Sequence, residues 1–234
     1  MNVVILQPSY IPWRGVFDQI RRADVFVFYD DVQYDKHGWR NRNRIKTPQG
    51  GQWLTIPVHN QGVVVENTPI NEIEIAWEHD WAAKHLRAIR QNYGKTPFFA
   101  QYAGWLEEVY SRRPALLADF TIALTVEIAR LLGIQHTRFL RSSALCASGH
   151  KTDRLIEILT GLGATHYISG PSARSYIEED KFKNANITLE FLEYNYPEYV
   201  QLYPPYDPYV SVLDLLFMTG PEAPAYLQER GPNE

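Results

Sequence analysis

The sequence predicts an α/β protein with a mostly parallel sheet, a β-hairpin and a subdomain of three helices. Three observations carry that expectation. Short β-branched or aromatic runs alternate with helix-period segments at both ends of the chain, the pattern of a parallel sheet wound with crossover helices. A period-two stretch broken by proline and glycine occupies residues 39–58. Helical periodicity then runs through residues 78–133 without an intervening strand. The expected organisation is one Rossmann-like α/β domain over residues 1–234, with 78–133 as its helical subdomain.

Taken in order, residues 3–6 and 25–29 are too short for helices and read as strands buried on both faces. Between them, residues 12–23 place Val16, Phe17 and Ile20 at helical spacing, with Arg21 and Arg22 at the negative end of the helix dipole. Strand, helix and strand in so short a span predict a parallel pair with a right-handed crossover. Thr47-Pro48-Gln49-Gly50-Gly51 marks the turn of the hairpin. Residues 63–75 read as irregular extended chain, with Ile70, Ile73 and Ile75 weakly marking a further strand. Helices are expected at 78–93, 96–111 and 114–132, the last with apolar residues around most of its circumference. Pro97 and Pro114 stand at helix starts, and Gly94 and Gly133 just past helix ends. The last third returns to strand at 137–140, helix at 152–162, strands at 166–169 and 189–192, a tyrosine- and proline-rich loop, and a short helix at 210–218.

With 45% hydrophobic residues, the 234-residue chain can bury roughly three quarters of its unfolded surface. Lys+Arg 23 against Asp+Glu 27 gives a formal net charge of -4, which disfavours genomic nucleic acid or an anionic membrane as partner. The single cysteine, Cys146, excludes an intrachain disulfide framework and fits a reducing compartment, so a cytoplasmic location is expected. No basic leader precedes residues 3–6 and no apolar run approaches the ~20 residues that span a bilayer.

In open α/β sheets ligands bind at the carboxyl ends of strands. Three such ends are Gln7-Pro8-Ser9-Tyr10, Asp30-Asp31-Val32-Gln33-Tyr34 and Ser169-Gly170-Pro171-Ser172. Asp30 and Asp31 are candidates for a divalent cation or a general base; the alternative is that they cap a turn. Residues 38–46 carry the least ordinary pattern: if extended, Arg40, Arg42, Arg44 and Lys46 share one face, and Trp39, Asn41, Asn43 and Ile45 the other. Four cations demand water or an anion, and arginine forks suit phosphate or carboxylate. An edge strand guarded by charge is the competing explanation, but inward-facing asparagines need partners and favour a site. Tyrosines 194, 196, 199, 203, 206 and 209, stiffened by four prolines, could stack on a sugar or base, or form a lid packed on the sheet edge.

Other motifs carry less. Gly149-His150-Lys151-Thr152 lacks the upstream glycine of a phosphate loop and reads as a helix start. No Gly-x-Ser-x-Gly elbow occurs, the seven histidines lack zinc spacing, and Cys146 reads as inert.

Gln7-Pro-x-x-x-Pro12-x-x-Gly15, the run from Phe28 to Tyr34, the run from Gly38 to Ile45, Lys151-Thr-Asp153, the run from Thr165 to Gly170 and Ser211-Val-Leu-Asp214-Leu-Leu together resemble the WbqC-like family, nearly end to end. The resemblance implies a bacterial enzyme of O-antigen or other surface (lipo)polysaccharide biosynthesis, with a suggested glycine transferase activity. It supplies no established catalytic residues. A fainter likeness, to nucleotidyltransferases of the pantothenate synthetase type, lies in the first strand, loop and helix; Pro12, Trp13 and Arg14 stand where those enzymes have histidines.

The resulting expectation is a transferase passing an aminoacyl or acyl group from an activated donor to a nucleotide-linked amino sugar. Asp30, Asp31 and Lys36 are its catalytic candidates, Lys36 also gripping an anion with Arg42 and Arg44. The remaining substrate-binding candidates are Gln7, Tyr10, Trp13, Gln33, Tyr34, Trp39, Asn43, Lys151, Ser169 and Tyr176, with Trp39 and Tyr34 stacking on a ring. No metal ligands are assigned and a divalent cation stays an open alternative. The rivals are an adenylating nucleotidyltransferase and a non-catalytic binding subunit.

Overall fold

The computed structural model describes residues 1–59 and 67–228. Five strands, β1 (Asn2–Leu6), β2 (Val25–Phe28), β5 (Arg138–Arg141), β6 (His166–Ser169) and β7 (Thr188–Phe191), form a sheet in the order β5-β2-β1-β6-β7. Every pairing in it is parallel, Val3 facing Val25 on one side of β1 and Tyr167 on the other. This is the Rossmann-like arrangement. The chain winds outward from β1 through β2 to β5, then crosses back to β6 and β7, so the order reverses between β1 and β6.

Alternation explains why these strands read as unbroken apolar runs. Val4, Phe26, Phe28 and Ile168 pack into one buried cluster, while Val3, Ile5, Val25, Val27 and Tyr167 pack into another on the opposite face. The first cluster joins the sheet to α1 (Arg14–Arg22), α2 (Trp81–Tyr93), α3 (Phe99–Ser111), α4 (Leu117–Leu131) and α7 (Val212–Thr219). The second is covered by α5 (Lys151–Leu162) and α6 (Glu179–Asn184). α6 has no counterpart in the sequence reading, because its six residues carry one buried apolar side chain, Phe182, too few for a period. The strand marked by Ile70, Ile73 and Ile75 is instead one helical turn, Ile70–Glu72, followed by single bridges from Glu74 to Leu116 and from Ile75 to Val58. Residues 63–66 of that segment lie outside the described residues.

β3 (Arg42–Thr47) and β4 (Gly50–Thr55) form the antiparallel hairpin, in register from Arg42 facing Thr55 to Thr47 facing Gly50. Its three cations, Arg42, Arg44 and Lys46, do not present one free face. Lys46 is buried and its ammonium donates to the Pro205 carbonyl. Arg44 lies 3.8 Å from Asp207, and Arg42 donates to the carbonyls of His37 and Gly38 while its guanidinium lies 4.7 Å from the Trp53 ring. The inward asparagines are also structural. Asn41 Nδ2 donates to Ile56 O at 2.8 Å, and Asn43 Nδ2 donates to Tyr10 O and Ile11 O at 3.1 and 2.9 Å.

The tyrosine-rich loop packs on α1. Arg14 is buried with its guanidinium over the rings of Tyr196, Tyr199 and Tyr206, and it donates to Tyr206 Oη and Pro197 O. Tyr196 Oη donates to the buried Asp18, which also receives Arg21 and Arg22. Tyr199 Oη and Gln201 donate to the buried Asp214, whose carboxyl burial pushes up from the ordinary value.

Tyr10, a substrate-binding candidate, faces the core. Its hydroxyl meets Tyr110 Oη and lies 2.8 Å from His85 Nδ1, all three residues buried. Burial lowers the His85 imidazole to about 4, against a hydrogen bond to the Thr55 backbone that opposes the shift. Folded, His85 therefore stays neutral through a range where the unfolded chain takes up a proton. Stability should be complete above about pH 6.5 and fall towards pH 4, at up to about 1.4 kcal/mol per pH unit from this group. Urea midpoints across that range should decline less steeply in His85→Gln than in the unmodified chain; parallel declines would remove His85 as the cause.

Candidate functional site

The reversal between β1 and β6 leaves a crevice at their carboxyl ends, where an open α/β sheet binds ligands. A two-lobed cleft occupies it. The inner lobe, ≈ 300 Å³, lies between the loop after β1, the start of α1, the residues leading into β3, and Tyr194 and Tyr209. The outer lobe, ≈ 760 Å³, lies towards α5 and the turn Pro171–Ser175. Leu6, Gln7, Arg40 and Ser172 line both, so they form the waist.

The inner wall is built by backbone stitching. Ile11 is buried at φ 34, a left-handed conformation that a β-branched residue rarely adopts. The Asn43 amide fixes it by binding both adjoining carbonyls, and Tyr10 N donates to Trp39 O at 3.2 Å. The chain then reaches Trp13, whose ring lies so close over Gly15 that a Cβ there would sit 2.3 Å from it. Trp13 meets Tyr194 edge-on at 4.7 Å and Tyr209 at 6.0 Å. Gly170 likewise admits Tyr194, whose hydroxyl would lie 2.7 Å from a Cβ at that position. Trp39, 43% exposed, forms the rim and leans on Trp53 at 5.2 Å. Gln19 Nε2 donates to Tyr194 Oη at 2.9 Å, while its Oε1 is buried without a partner.

Arg40 is the charge at the waist. Nη1 donates to Pro8 O at 3.3 Å, and Nε is buried and unpartnered. Burial lowers the guanidinium to about 10, with Asp35 acting in the opposite direction, so it remains a cation at neutral pH. Lys151, at φ 49 on the first turn of α5, adds a second positive charge to the outer lobe. Tyr29 and Tyr176 give that lobe aromatic walls, Tyr29 with the Arg154 guanidinium 5.3 Å from its ring. Among the described residues, no aspartate, glutamate or histidine lines either lobe.

Of the sequence candidates, Gln7, Trp13, Trp39 and Asn43 line the inner lobe, and Gln7, Lys151 and Tyr176 the outer. Tyr10 and Tyr34 are buried outside it; Tyr34 is pushed up to about 12 by burial. Gln33 is exposed, bridged to Pro69, and Lys36 is exposed on the neighbouring loop. Ser169 is buried at the end of β6 and its side chain bonds the Tyr167 phenol. Arg42 and Arg44 anchor loops, as described above.

Asp30 and Asp31 join β2 to the turn after β5. Asp30 is fully buried: its Oδ1 accepts from Ser142 Oγ and Ser143 N, and its Oδ2 from Ser143 Oγ at 3.0 Å. Asp31 accepts from Ser142 Oγ and pairs with Arg154. Among the described residues, no three metal-ligating side chains come together. Their adjacency after a strand resembled a ligand pair; the serines that engage them lie more than a hundred positions away.

Residues that the sequence reading did not assign to the site include Gln19, Ser172 and Arg40. Gln19 carried a usable signal, being a polar residue three positions from Val16 on an otherwise apolar helix face. Arg40 was one of four equally spaced cations, and only the register of β3, which starts two residues later, separates it from the others.

The model of the WbqC-like protein family matches residues 7–226, which includes every residue of the cleft named above except Leu6. This chain belongs to that family. The chain is also 44% identical over 229 residues, 97% of each chain, to "Uncharacterized protein Rv1507c" of Mycobacterium tuberculosis (strain ATCC 25618 / H37Rv). No solved structure matches. No helix among the described residues is long and apolar enough to cross a membrane.

Three substitutions test these placements. Asp30→Ala removes the acceptor of several buried hydrogen bonds and should lower unfolding free energy by about 2 kcal/mol or more in urea melts. Lys36→Ala should change it by less than about 0.5 kcal/mol. Gly15→Ala should keep the far-UV spectrum but alter near-UV dichroism, because the Trp13 ring must move; an unchanged near-UV spectrum would contradict the contact.

Proposed function

We propose that this member of the WbqC-like family is a transferase that binds a nucleotide-linked amino sugar in the cleft and acylates its amine. The transferred group is aminoacyl, glycyl above all, or acyl, and the product serves bacterial surface polysaccharide (O-antigen) biosynthesis. The observation that carries the reading is the cleft itself: aromatic walls and two cations, with no carboxylate in the lining, at the reversal of a parallel sheet in a chain of net charge -4. Indole and phenol faces suit a sugar or base ring, amides suit hydroxyls, and guanidinium suits phosphate.

In the reaction, the sugar nitrogen attacks the acyl carbonyl, the C–N bond forms, the bond from acyl carbon to its carrier breaks, and the nitrogen loses a proton. Trp13, Trp39 and the waist residues hold and orient the acceptor. Asp31, whose carboxylate accepts from Ser142 Oγ and pairs with Arg154, keeps a partly exposed side and is the candidate base, taking the proton through water because neither aspartate lines the cleft; Asp30 is fully buried. The single cysteine supports a cytoplasmic location.

A nucleotide sugar at a hundred times its dissociation constant should stabilise the protein by about 2.7 kcal/mol in thermal-shift measurements. Mass spectrometry should then detect acylated sugar on adding a suitable donor, with turnover reduced at least tenfold by Asp31→Asn. Stabilisation by ATP alone, with pyrophosphate release, would replace this reading with adenylyl transfer.

A further inference from the structure

The two lobes differ in size and chemistry, and one charged side chain stands where they meet. Resting on the nucleotide-sugar reading above, we infer that Arg40 seats the diphosphate at the waist, with the sugar in the inner lobe beside Gln19 and the nucleoside in the outer lobe. A sugar nucleotide has this sequence of parts: ring, dianionic linker, larger ring system.

Four observations place them. Arg40 lines both lobes and, among the described residues, makes no ion pair; its one hydrogen bond is from Nη1 to Pro8 O, which leaves the rest of a five-donor fork without protein acceptors. A half-buried cation with no paired carboxylate gains most when an anion reaches it, and a diphosphate accepts the planar fork in bidentate fashion. Lys151 adds a second cation on the outer side of that waist. Asp35, the carboxylate that acts on Arg40 electrostatically, does not line the cleft and accepts from His37 N.

Size and polarity set the orientation. The inner lobe is the smaller, at ≈ 300 Å³ against ≈ 760 Å³, and fits the smaller ring system. Its indoles offer faces to the C–H side of a pyranose, and its amides offer partners to hydroxyls. Gln19 Oε1 is an acceptor without a donor in the protein, and a sugar hydroxyl or amine supplies one. The outer lobe has Tyr29 and Tyr176 at its edges, rings on which a base stacks.

The test is calorimetric titration with inorganic pyrophosphate, UDP and UDP-glucosamine against the unmodified chain, Arg40→Gln, Arg40→Lys and Gln19→Leu, with Lys84→Gln as a distant charge control. Arg40→Gln should weaken all three ligands at least thirtyfold, Arg40→Lys should weaken them less, and Lys84→Gln should not alter them. Gln19→Leu should leave UDP unchanged and erase the affinity difference between UDP and its sugar conjugate. A folded Arg40→Gln protein that binds as well as the parent overturns the seat while leaving the acceptor reading intact; should Arg40→Gln not fold, undiminished binding by Arg40→Lys does the same. If Gln19→Leu weakens UDP itself, the orientation is overturned. Pyrophosphate binding that depends on Arg40, without any nucleotide-sugar binding, supports the anion seat and removes the acceptor reading. Failure of every ligand to bind removes both.

Discussion

The cleft depends on the amide of Asn43. Its Nδ2 donates to two consecutive carbonyls, of Tyr10 and Ile11, and thereby holds the loop after β1 against the hairpin. A buried isoleucine at positive φ persists only where its surroundings over-determine it. That conformation turns Tyr10 into the core and sends the following residues outward to Trp13. It also lays Pro8 beside Arg40. Without the Asn43 clamp, the inner wall, the aromatic platform and the waist cation would lose their common reference.

Positive charge in this protein is used mainly for construction. Arg14 lies inside a ring of tyrosines, Lys46 and Arg44 hold the far side of the same loop, and Arg154 holds Asp31. These contacts turn a proline- and tyrosine-rich segment into a fixed wall whose hydroxyls at Tyr196, Tyr199 and Tyr203 point to protein acceptors. Tyr194 and Tyr209 are the members that border the cleft. The aromatic loop is thus part lid and part ligand wall, which joins the two explanations that its composition leaves open.

The sheet was legible because both faces of β1 and β2 are covered, so their residues are uniformly apolar and short. The reversal point was legible in outline through Gln7 and Trp13, which begin and end the loop after the first strand. What escaped the sequence was pairing at long range. Ser142 and Ser143 decide the role of Asp30, and Asn43 decides that of Tyr10; neither relation leaves a local pattern. Spacing also could not rank Arg40, Arg42, Arg44 and Lys46, because their environments come from different loops: Pro8, Gly38, Asp207 and Pro205.

The central position of β1 has a consequence for how the chain is made. β1 pairs on one side with β2, about twenty residues away in sequence, and on the other with β6, more than a hundred and sixty residues away. During synthesis the first pairing can form early, whereas one edge of β1 waits, apolar and unpaired, until the sixth strand emerges. The helices α2 to α4 are made in that interval and cover one sheet face, while α5, which covers the opposite face, ends only four residues before β6, so for most of the interval the waiting edge and that face are the surfaces a chaperone would have to shield. Since the cleft needs β6, ligand binding becomes available only after that last long-range pairing closes.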